Sequence, residues 1–167
     1  MIERFIESQK LFDFLAKEHH YLAREVNLPR YHVTKMARRM GVPHKGLADR
    51  LHGRTSAASA TITSLLAVEL DAEIKLVIGE ERTEYTDESL RLGFSKINEM
   101  RSELVKGGKK EFTIERIAEQ MEMSKSHLWQ LKDRLKYVTL DIVVMLGKII
   151  EVEVFAELTH DFQSTRE

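Results

Sequence analysis

The sequence predicts a mainly α-helical protein with short β-strands, built as two tandem copies of one module: helix, helix-turn-helix, helix, strand. Three observations predict it. Apolar residues recur at helical spacing through most of the 167 residues, whereas 72–78 and 152–158 alternate with the period of two expected of strands. The segment TIERIAEQMEMSKSHLWQLKDR aligns with HVTKMARRMGVPHKGLADRLHG, each residue shifted by 81. Ile114 falls on Val33, Ile117 on Met36, Ala118 on Ala37, Met121 on Met40, Met123 on Val42 and Leu128 on Leu47. A repeat of that length with apolar positions in register signals a duplicated unit. Finally, two prolines and eight glycines argue against both disorder and a fold of many hairpins. The expected division is a first module over 1–79, a linker over 80–88 and a second module over 89–167.

The elements follow in order. Residues 2–28 read as one or two helices, with Ile2, Phe5, Ile6, Leu11, Phe12, Leu15, Leu22 and Val26 at roughly helical spacing. The pair His19-His20 is a poor chelate, because adjacent side chains on a helix diverge by about 100°. Pro29 ends this helix or starts the next turn. In Thr34–Arg54, Met36, Ala37 and Met40 are the inward positions of one helix, and Gly41 is the turn, where φ > 0 is required. Val42 carries the apolar seam across, Pro43 suits the start of a second helix, and Leu47 pins that helix down. A small residue, a glycine four on and an aliphatic six further on is the skeleton of a helix-turn-helix. Thr55 and Ser56 offer caps for a following helix whose face is Ile62, Leu65, Leu66 and Leu70. The alternating strand 72–78 and the polar GEERTEYTDE close the first half. In the second half a helix over 87–105 stops at Gly107-Gly108. The repeated motif, the helix TLDIVVMLGKII and the strand 152–158 complete it.

Ala37, Gly41 and Leu47, with Gly53 closing the second helix, resemble the helix-turn-helix of the Cro/phage-repressor (Xre-type) family. The resemblance covers roughly 30–78 and 111–158. The second copy departs from it at Glu122, which takes the position of the turn glycine. The resemblance implies a lambda-repressor/Cro-like fold and a sequence-specific regulator of transcription, repressor-like in action, that binds double-stranded DNA.

Charge points the same way. The net charge is −1, but from Arg30 to Arg54 there are seven Lys/Arg and one acid, plus His32, His44 and His52. From Thr55 to Gly107 there are six Lys/Arg and ten acids, and from Gly108 to Lys136 seven and five. Positive charge concentrated on one short segment is the footprint of a phosphate-binding face.

In a helix-turn-helix the second helix enters the major groove and its outward N-terminal side chains reach base edges. In the first copy these are His44, Lys45, Ala48, Asp49 and His52. Lys45 can donate to guanine, Asp49 can accept from cytosine N4 and Ala48 can touch a thymine methyl. Arg38, Arg39 and Arg54 suit phosphate contacts, with Lys35 and Arg50 as further outward cations. In the second copy Ser124 should cap the recognition helix, while Lys125, Ser126, Trp129 and Gln130 would face the groove. An indole such as Trp129 suits a protein interface equally well.

The strands 72–78 and 152–158 suggest either a homodimer or an intramolecular pseudo-dimer, because paired strands hide exposed edges. No cysteine, Gly-rich phosphate loop, His-Glu metal helix or recognisable nucleophile spacing appears. The expectation is a cytoplasmic protein that is not an enzyme and uses no cofactor or metal. The rival reading is a protein-interaction module that binds a transcription or mobile-element protein through the helix-turn-helix scaffold.

Overall fold

The structure, a computed structural model, describes residues 1–56, 59–132 and 138–166. Asp133 and Arg134, at the end of the repeated segment, lie outside the described residues. Helices predominate, accompanied by a four-stranded antiparallel sheet. Among the described residues no helix is long and apolar enough to cross a membrane. The chain divides into two compact units, Met1–Ile74 with Glu157–Glu167, and Lys75–Ala156.

The first unit opens with strand β1 (Ile2–Phe5), followed by helix α1 (Ser8–His20), a π-turn over Tyr21–Glu25 and a 3-10 turn over Pro29–Tyr31. Helices α2 (Val33–Met40), α3 (His44–Leu51) and α4 (Ala60–Glu69) come next. Leu11, Phe12 and Leu15 of α1, Met36 and Ala37 of α2, Leu47 of α3, and Leu66 and Ala67 of α4 are all buried. Helix α2 packs on both α3 and α4, and α1 packs on α4. The C-terminal segment also belongs here. Its backbone pairs with the chain start, His160 N–H donating to the Met1 carbonyl at 2.9 Å. The buried Glu18 carboxylate accepts the N–H groups of Gln163 and Ser164 at 3.2 and 3.1 Å.

The second unit contains strand β3 (Glu81–Glu84) and helices α5 (Asp87–Lys106), α6 (Ile114–Gln120), α7 (Lys125–Lys132) and α8 (Leu140–Ile149). A 3-10 turn over Lys110–Phe112 precedes α6. Helix α5 starts in a capping box, with Thr86 and Ser89 satisfying each other's backbone N–H groups and Asp87 and Glu88 complementing the helix dipole. Leu90, Phe94, Ile97, Ile117, Leu128, Leu140 and Val143 form its core.

Strands β2 (Glu73–Ile78) and β4 (Val154–Thr159) run through the division, and the sheet order is β1-β4-β2-β3. β2 and β3 form a hairpin in which Ile78 opposes Glu81. Its two-residue loop begins with Gly79 at φ +62°, the position a tight hairpin turn reserves for glycine. The edge strand β3 is exposed throughout and charged, which discourages further pairing.

Four features differ from the sequence expectation. Residues 2–5 are a strand, not the start of a helix. The i, i+3, i+4 spacing of Ile2, Phe5 and Ile6 mimics helical periodicity, but Glu3 and Phe5 alternate inward as an edge strand requires. The stretch 80–88 carries β3 and the start of α5. Shifting β1 by 79 positions gives β3. β4 does not alternate: Val154–Leu158 are buried on both faces, as an interior strand demands. On α4, Leu65 is exposed, and the cap is Ser59, whose hydroxyl accepts from Ile62 N–H, not Thr55 or Ser56.

Candidate nucleic-acid interface

The α2–turn–α3 element is set by its inward residues. Gly41 takes φ +70°, ψ +31°, and lets Val42 N–H reach back to the Ala37 carbonyl at 3.0 Å. This left-handed cap closes α2 and redirects the chain within two residues. Ala37 and Leu47, both nearly inaccessible, sit on either side of the turn. Pro43 is the N-cap of α3 and offers no side-chain acceptor, so no side chain caps the first turn of α3. Gly53, at φ +73°, ends this helical stretch.

The outward side of this element is cationic. Lys35, Arg38, His44, Lys45, His52 and Arg54 are exposed, while Ala48 and Asp49 are half-buried. Two of the expected contacts are engaged within the protein. Arg39 donates from Nε to Glu69 at 2.6 Å and from Nη2 to the Arg30 carbonyl at 2.7 Å, fastening α2 to the end of α4. Asp49 lies 3.5 Å from Arg54, an i, i+5 pair across the end of α3. Arg50 is only partly exposed and its Nε is buried, so it is not a fully outward cation. Neither tie of Arg39 was legible in the sequence, because Glu69 is thirty residues away and a backbone carbonyl carries no sequence signal. Sequence reasoning missed the uncapped start of α3, although a proline has no side-chain acceptor to offer.

The α6–turn–α7 element reproduces the same local geometry. Glu122 takes φ +54°, and Met123 N–H reaches the Ala118 carbonyl at 2.9 Å, as Val42 does to Ala37. Ala118 and Leu128 are buried like their counterparts. The surface differs. Ser124 caps α7, its hydroxyl accepting from His127 N–H at 3.0 Å. Lys125 donates to Glu115 at 2.6 Å and holds that carboxyl below the usual carboxylate range. Ser126 is exposed, Trp129 is 37% exposed and Gln130 is half-buried.

The histidine pair is structural on one side. His19 is buried and its Nε2 lies 2.8 Å from the Tyr31 carbonyl, while His20 faces outward. Among the described residues no group of three acidic or imidazole side chains is placed to hold a metal. Compared with protein-family models, curated proteins and solved structures, the chain matches none of them.

Proposed function

We propose that the chain is a sequence-specific, double-stranded DNA-binding transcription regulator of repressor-like action, working in the cytoplasm. In this reading it consists of two tandem Cro-like helix-turn-helix modules. One observation carries the reading: Lys35, Arg38, Lys45 and Arg54 are exposed on the element whose second helix begins without a side-chain cap. Uncapped N–H groups and the positive end of the helix dipole favour a phosphate oxygen, and the flanking cations fix the register of the helix on the backbone. His44, Lys45, Ala48 and Asp49 then lie where base edges are read. In this reading strands β2 and β4 serve assembly, as an intramolecular pseudo-dimer or as a homodimer.

The test is selection of bound duplexes from a random pool, followed by anisotropy titrations with the enriched duplex. Arg38→Glu combined with Lys45→Glu should weaken binding about 100-fold at 0.1 M salt, the lost phosphate contact of Arg38 removing close to tenfold and the lost base contact of Lys45 a similar factor. Circular dichroism should be unchanged, because both side chains are exposed. Wild-type affinity in the double variant, or no enrichment from the pool, would refute the reading. Arg39 is a poor choice for this test, because its reversal would set a carboxylate against Glu69 and disturb the fold.

A further inference from the structure

We infer that the duplex is engaged by the first helix-turn-helix alone, and that the second, with the same backbone, is kept off DNA by its surface. This rests on the DNA-binding reading of the first copy and assigns the two copies different roles.

Equivalent positions lie 81 residues apart on two elements of matching local geometry. At the position of Arg38, on the helix that crosses the phosphate backbone in such motifs, the second copy has the exposed Glu119. At the position of Arg39 it has Gln120, and at that of the turn glycine the exposed Glu122. A carboxylate facing a phosphate row repels it and brings no counterion release, the main source of affinity for DNA. Of the cations on this element, the exposed Arg116 keeps the position of Lys35. Lys125 is already neutralised by Glu115.

The groove-facing side changes in the same direction. Lys45 is replaced by Ser126, which removes the charged donor. Ala48, small enough for a recognition helix to approach base edges closely, is replaced by Trp129, whose indole holds the helix axis away from the floor of the groove. At the start of the helix, Ser124 spends its acceptor on His127 N–H, whereas the first copy has no side-chain cap there. Phosphate row, base edge and helix start therefore all differ, and each difference disfavours DNA.

A matched pair of variants tests this in the full chain against the duplex enriched from the random pool. Lys35→Glu with Lys45→Glu alters the first copy, and Arg116→Glu with Ser126→Glu places the same residues at the same positions of the second. The first pair should weaken binding about 100-fold and the second should leave it within twofold. The wild-type log–log salt dependence should have a slope of about −3, matching phosphate contacts by Lys35, Arg38 and Arg54. A loss of tenfold or more in the Arg116/Ser126 variant, with folding intact by circular dichroism, would show that both copies touch the duplex and would overturn the inference while sparing the DNA-binding reading. An unchanged affinity in the Lys35/Lys45 variant would overturn both.

Discussion

Gly41 and Glu122 occupy equivalent left-handed turns in the two helix pairs, so substitutions at the two sites should move stability in opposite directions. A non-glycine residue in the left-handed region costs roughly 1–2 kcal/mol. Replacing glycine also removes unfolded-state freedom and returns about 0.4–1 kcal/mol where the native backbone is compatible. A Cβ at Gly41 meets nothing within 4 Å, so Gly41→Ala carries the conformational cost without a steric one. The net loss is about 1 kcal/mol, or a Tm lower by roughly 2–4 °C for a chain of this size. Glu122 is exposed at φ +54°, and Glu122→Gly should raise stability by a similar or slightly smaller amount. Gly41→Asn should fall between wild type and Gly41→Ala, because asparagine tolerates this region. Thermal and urea unfolding followed by circular dichroism read both changes. Trp129, the single tryptophan, lies just beyond the second turn and reports locally on Glu122→Gly. If both substitutions destabilise by a similar amount, the two turns are held by different forces and their equivalence fails.

Three further outcomes follow from the packing. Burial is the main cause that lowers the pKa of His19 below its ordinary 6.5, so the unfolded chain binds the proton more tightly. His19 stability is therefore fully present above about pH 6.5 and declines as pH falls toward the folded pKa; a urea series from pH 8 to pH 5 should show the decline, and His19→Gln should reduce it. Gly147→Ala should cost about 1–3 kcal/mol, because its Cβ would lie 2.6 Å from the Val152 carbonyl oxygen and 2.8 Å from Val154 Cγ2; a Tm within 1 °C of wild type would contradict that crowding. Glu18→Ala strands two backbone N–H groups and should cost about 1–3 kcal/mol, read by faster limited proteolysis of the C-terminal segment.

What the sequence disclosed was what periodicity encodes. Met36, Ala37, Met40 and Leu47 are inward because they recur on one helical face, and their counterparts 81 residues on are inward for the same reason. The turn at Gly41 was legible because a glycine there has a specific conformational use. The strand at 2–5 was not, since four residues cannot separate a period of two from a period of 3.6 when their partner strand is more than 150 residues away. Nor was the burial of both faces of β4, which depends on its interior place in the sheet. In the candidate interface the exposed cations were legible as a charge run. Their individual availability was not, because Glu69 and the Arg30 carbonyl claim Arg39 through tertiary contact alone.

The persistence of the turn at Glu122 says where the geometry of this element comes from. If the turn residue's own preference set the angle between the helices, replacing glycine by glutamate would open it. Instead the Met123–Ala118 hydrogen bond is kept at 2.9 Å against 3.0 Å for Val42–Ala37. The buried contacts of Ala118 and Leu128 therefore over-determine the backbone, and the left-handed penalty is absorbed locally. The frame is thus decoupled from the outward side chains, which are a cationic set on one helix pair and include Glu115, Glu119 and Glu122 on the other. That decoupling makes a charge reversal at Lys45 informative: it alters the field on a frame held by other residues. Arg39 lies outside this rule, because its charge is itself part of the frame.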